Sequence, residues 1–129
     1  MESSIAGRKN AEEEGSVFSE SEAAFLAENM LGRVATVSRS GQPHVVPVVY
    51  RFDGTGLYFG GWNLQKSLKF RNLLANDRVA FVVDDVVSTR PWRARGVEVR
   101  GRARLEKIEG DILVVKIAPR VVRSWGFEE

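Results

Sequence analysis

The residues best suited to chemistry lie between Tyr58 and Asn72. Here Tyr58-Phe59-Gly60-Gly61-Trp62-Asn63 runs into Leu64-Gln65-Lys66-Ser67-Leu68-Lys69-Phe70-Arg71-Asn72. Two glycines let backbone approach a ligand closely. A following helix offers free N–H groups and a partial positive charge, which suit a phosphate. Lys66 and Lys69 are three apart, so on a continuous helix they share a face, and Ser67 adds a hydroxyl. A phosphate clamp and a plain basic surface helix are both compatible with this spacing.

Other chemistry-bearing residues are sparser. There is no cysteine and only one histidine, His44. That composition disfavours thiolate or histidine-built metal sites and a Ser-His-Asp triad. His44 opens a valine-rich strand, where it serves either as a strand-start residue or as an acid–base group. Asp84-Asp85 reads as a solvated loop entrance rather than a metal site. Arg100, Arg102 and Arg104 alternate as on a strand; beside Glu98 and Glu106 they read as an ion-paired exposed face rather than a nucleic-acid track.

The chain of 129 residues fits one domain. Residues 1–17 are mostly polar and form an expected mobile tail, leaving residues 18–129 as the domain. Net charge is only +2, but acids cluster early and bases predominate from Lys66. No run of about 20 apolar residues is present to cross a bilayer, and no secretory signal is visible. The expected location is the cytoplasm.

Ser19-Glu20-Ser21-Glu22 is a capping box that starts a helix to about Asn29. Arg33–Ser38, His44–Phe52 and Leu57–Phe59 form a three-stranded meander. Pro47 marks a bulge, an edge or a break. The pattern predicts a helix over Leu64–Ala75, a doubly buried strand over Arg78–Val83, and a long connection over Asp84–Arg95. Gly96–Lys107 alternates cleanly as a strand, Ile112–Ile117 is the last long strand, and Pro119 begins an extended tail. Short strands without a βαβ rhythm point to a closed or partly closed antiparallel barrel.

Four ordered stretches resemble the flavin-binding split-barrel superfamily related to pyridoxamine 5′-phosphate oxidase, and within it the class that uses the deazaflavin coenzyme F420. They are Leu31-Gly32-Arg33-Val34-Ala35-Thr36-Val37 with Gly41-Gln42-Pro43-His44-Val45-Val46-Pro47-Val48; Gly60-Gly61-Trp62-Asn63 through Lys69-Phe70-Arg71-Asn72; Arg78–Asp85 with Pro91–Ala103; and Pro119–Gly126. The segment between Ala103 and Ile112 is shorter than in many members.

The resemblance implies a mainly β, six-stranded antiparallel split barrel of Greek-key type with short helices, dimerising with two cofactor sites at the subunit interface. It implies Lys69 as the main phosphate ligand, with Ser67 and Arg71 beside it, Lys66 near, and Asn63, Gly60 and Gly61 lining the loop. Val46, Pro47 and Val48 would pass the ring, and Trp125 would approach from the partner subunit. The implied activity is hydride transfer between coenzyme F420 and a small, conjugated substrate. FMN is the alternative cofactor, and a carrier without turnover the alternative role. No nucleic-acid or membrane partner is expected, since a barrel that binds single strands needs aromatic platforms and few strand aromatics are present.

Overall fold

The computed structural model describes residues 7–10, 17–61 and 63–127. Two helices and seven strands alternate as β1 (Gly7–Asn10), α1 (Glu20–Glu28), β2 (Leu31–Val37), β3 (Pro43–Phe52), β4 (Leu57–Gly60), a 3-10 turn (Leu64–Lys66), α2 (Leu68–Ala75), β5 (Arg78–Thr89), β6 (Trp92–Ile108) and β7 (Ile112–Trp125). Every strand pairing is antiparallel. The order β7-β4-β3-β2-β5-β6 closes on itself through a β6–β7 ladder, giving a six-stranded barrel. Closure pairs the two outermost strands of that order with each other, and the interior is packed with side chains, among them Val34, Leu57, Phe59, Phe81, Val97, Val99 and Ile117.

Alternation sets which residues turn inward. On β5, Val79, Phe81 and Val83 are buried while Ala80 and Val82 are only partly so. The strand is therefore deeply buried on one face, not on both. On β3, Val48 and Tyr50 point into the core and Val46 packs against it, whereas Val45 and Val49 stand exposed outside.

Pro47 lies within an unbroken β3. It sits opposite Arg33 of β2, and β4 pairs only with Tyr50–Phe52. The 43–49 stretch therefore has one open edge, where a missing N–H costs no ladder bond.

A segment expected as a long connection and one expected as an extended tail are both strands. The Asp84–Arg95 connection is a long β5–β6 hairpin, because its polar residues pair across the ladder: Arg95 binds Asp85 through two hydrogen bonds of 2.9 and 3.0 Å. Pro119 does not end β7, which continues to Trp125; the register shifts at Arg100/Gly101, and a bulge absorbs the proline there. Beyond β4, the second half of β7 needs another partner for its backbone groups. Within the expected tail, β1 supplies it, pairing Gly7–Asn10 with Val121–Ser124. The rest of that tail, residues 1–6 and 11–16, lies outside the described residues, as does Trp62.

The helix α1 packs on the barrel. Its capping box forms as read from sequence: Ser19 Oγ accepts from Glu22 N–H and the Glu22 carboxylate accepts from Ser19 N–H. Phe25 and Leu26 are buried, and the Tyr50 hydroxyl donates to Leu26 C=O at 2.7 Å. Burial pushes the Tyr50 phenol up to about 12.

Candidate active site

The Gly60–Asn72 segment divides into parts that face different ways. Gly60 ends β4 against Val114, and an added Cβ there would stand 3.1 Å from Val114 Cγ1. Gly60 is thus a packing glycine. Gly61 has φ +146° with open space around it, a backbone state that favours glycine. Asn63 and Lys66 then line an open cleft of about 510 Å³ together with Gly61, Asp111 and Leu113.

The helix starts at Leu68, not Leu64. Ser67 is extended (φ −83°, ψ 157°) and caps α2, accepting from Phe70 N–H at 3.2 Å and donating to Leu64 C=O at 2.6 Å. Asn, Asp, Ser and Thr at this position satisfy an orphan helix donor. The kink at Ser67 breaks the i, i+3 geometry, so Lys66 and Lys69 do not share a helix face. Lys66 belongs to the 3-10 turn and Lys69 to the first turn of α2. Arg71, two residues beyond Lys69, projects to another side of the helix. It lines a separate cleft of about 630 Å³ beside Ser38, Arg39 and Ser40.

Lys69 is partly buried. Among the described residues neither Lys66, Lys69 nor Arg71 makes an ion pair or a side-chain hydrogen bond. The barrel's arginine stripe behaves differently. Arg100 pairs with Glu98, Arg102 with Asp77 and Arg104 with Glu106, at 2.9, 2.6 and 2.9 Å. Asp84 pairs with Arg33, and Asp85 with Arg95. The two adjacent aspartates thus serve ion pairs, and no metal-ligating cluster occurs among the described residues.

The α2 helix is anchored by Asn72, whose amide donates to Thr36 Oγ1 of β2 at 2.9 Å in the interior. Opposite Thr36 on β3 stands His44, on the inward-facing row. Its Nδ1 is enclosed and lacks a hydrogen-bond partner. Sequence reasoning missed the Thr36–Asn72 link, because nothing local in either residue announces a contact 36 positions away.

The ring-contacting residues implied for β3 are also split. Val46 and Val48 turn their side chains into the core, leaving backbone as what they can offer a ligand. Outside the barrel, a shallow groove of about 250 Å³ runs over Ala35, Val45, Ala80 and Val82, edged by Arg33, Glu98 and Trp125. Trp125 packs on its own chain. An added Cβ at Gly96 would lie 2.4 Å from Trp125 Cζ2, so the glycine makes room for the ring. The groove has an apolar floor, polar edges and one aromatic wall; Lys69, on the first turn of α2, is not among its lining residues.

Comparison with known proteins bears on this arrangement. The family model described as pyridoxamine 5′-phosphate oxidase matches residues 18–125. A 5a,11a-dehydrotetracycline/5a,11a-dehydrooxytetracycline reductase from Streptomyces rimosus subsp. rimosus is 38% identical over 121 residues, covering 86% of this chain and 84% of that protein. Among solved structures, a conserved hypothetical protein from Mycobacterium tuberculosis is 25% identical with a TM-score of 0.71, covering 86% of each chain. An F420 reductase is 24% identical with a TM-score of 0.65, covering 81% of this chain and 98% of its own, a likeness of fold.

Proposed function

The chain belongs to the pyridoxamine 5′-phosphate oxidase family and is an oxidoreductase, and on that premise we propose that it moves a hydride between coenzyme F420 and a small conjugated substrate. The observation that carries the reading is Lys69: a partly buried ammonium on the first turn of α2 with no counter-ion among the described residues. Partial burial disfavours an unpaired charge, and an anionic ligand relieves that cost.

The donor set fits a phosphate-bearing coenzyme. The first N–H groups of α2, at Leu68 and Lys69, have no acceptor within the helix. Ser67 holds the helix start in place through its cap, and Gly61 lets the loop turn beside it. When bound, the coenzyme supplies the hydride chemistry, and the protein supplies orientation and shelter from water. In this reading Lys69 neutralises the phosphate, the backbone of Val46 to Val48 positions the ring, and the outer groove at Ala35, Val45 and Ala80 borders the substrate. A relative named as a reductase of dehydrotetracyclines supports reduction as the direction.

A second copy of the chain completes the proposal. Leu31 and Val49 stand 57 and 62% exposed opposite each other on β2 and β3, and burying them in a homodimer would remove that apolar area from water. Sedimentation equilibrium is expected to give a dimer, and Val49→Lys to give a monomer.

The cofactor is tested by fluorescence titration of the purified protein with coenzyme F420 and with FMN. Tighter binding of coenzyme F420 is expected, with reduction of a conjugated enone when the reduced coenzyme is supplied. A protein that purifies yellow and releases FMN on denaturation would replace the deazaflavin by FMN. Binding of neither would contradict the reading.

A further inference from the structure

The cleft between the β2–β3 turn and α2 lies apart from the groove assigned to hydride transfer. We propose that it is a second ligand site, which takes a small amphipathic anion, with its carboxylate or phosphate head on Arg39 and Arg71 and its apolar body on Leu68 and Leu74.

The cleft has a volume of about 630 Å³, within the range of small-molecule sites. Its floor is fixed. Asn72 is 3% exposed and tied to Thr36, and the turn opposite is held by Ser38 Oγ, which accepts from Gln42 N–H at 2.9 Å and lies 3.1 Å from Ser40 Oγ.

Charge distinguishes this cleft. Arg39 and Arg71 both line it, and neither has an anionic partner among the described residues. Among the strand arginines, Arg33, Arg100 and Arg102 are each matched with a carboxylate; Arg51 and Arg78 make no ion pair among the described residues, but neither lines this cleft. Two guanidinium groups lining one cleft repel each other unless an anion joins them, and each presents a planar fork that fits carboxylate or phosphate.

The cleft is also apolar where a polar ligand would not need it. Leu68 is 42% and Leu74 65% exposed, on the same helix that carries Arg71. A free inorganic anion would leave these leucines in water, whereas an anion with a short alkyl or aryl body covers them. Head and body together therefore specify an amphipathic ligand.

Octanoate and octyl phosphate serve as probes, with octanol and inorganic phosphate as controls that lack the head or the body. Isothermal titration is expected to show binding of at least one of the two octyl anions; the tighter one identifies the head group. Each control is expected to bind at least about tenfold more weakly. Arg39→Ser and Leu74→Asn, both surface changes, are each expected to weaken the octyl anion about tenfold or more while melting temperature stays unchanged. Saturating coenzyme F420 or FMN is expected not to displace the probe.

Equal binding by Arg39→Ser would overturn the proposal. So would mutual displacement with the coenzyme, which would merge this cleft with the hydride-transfer site, or self-association abolished by Leu74→Asn, which would make it a contact between copies. Failure of the coenzyme to bind leaves the octyl-anion result readable, so the two proposals fail separately.

Discussion

The two helices pack on the barrel in opposite chemical styles. In α1 the inward face serves packing: Phe25 and Leu26 are buried, the Tyr50 hydroxyl meets Leu26 C=O, and the buried Glu22 carboxylate accepts from Ser19 N–H and from Ser124 Oγ at 2.6 Å. In α2 only one face is committed, through Phe70, Asn72 and Leu73. Its other sides carry Lys69 and Arg71 without counter-ions among the described residues, and Leu68 and Leu74 in solvent. A helix whose buried carboxylate is matched and whose aromatic and aliphatic side chains are buried acts in packing. One that keeps charge and apolar surface unmatched is positioned for ligands.

Substitutions test that contrast directly. Phe25→Ala, in α1, is expected to lower unfolding free energy by about 3–5 kcal/mol, measured by urea denaturation. Glu22→Ala removes half of the capping box and strands Ser124 Oγ; a loss of about 1–3 kcal/mol is expected. If either change left stability intact, the division between the helices would collapse.

Tyr50 gives the packing of α1 a signature in alkali. Its phenol ionises near 10.0 when unfolded and at about 12 when folded. A raised folded value means that the contribution is complete below pH 10 and is lost as pH rises from 10 toward 12. Urea midpoints are expected to fall across that window in the natural protein and to fall less in Tyr50→Phe. An identical decline in both would remove burial of Tyr50 as its cause. At the small end, Leu74→Asn on the exposed side of α2 is expected to shift stability by no more than about 0.5 kcal/mol; a large loss would show that this side is packed after all.

What could be read from sequence follows the range of the forces involved. The α1 start was legible because Ser19 and Glu22 interact over three residues. The barrel was legible because the β-branched residues of β2 and β3 and the clean alternation of β6 are local patterns. The β5–β6 hairpin was not, since Asp84, Asp85 and Arg95 look like loop residues until cross-strand ion pairing satisfies them. Nor was the continuation of β7 past Pro119, which depends on a bulge against β6 and on pairing with Gly7–Asn10, more than a hundred residues away. In the site, the basic composition and the Gly61 turn were legible. The facing of each cation was not, because it hinges on Ser67 spending its hydroxyl as a helix cap. That cap separates Lys66 from Lys69, and the helix itself turns Arg71 toward a different cleft.

The reading of α2 as the coenzyme's anchor rests most directly on Lys69. Fluorescence titration of coenzyme F420 against the natural protein and Lys69→Ser, with melting temperatures recorded in parallel, tests it. The expected result is an affinity reduced about tenfold to a hundredfold with an unchanged melting temperature. Equal affinity in the two proteins would contradict the account.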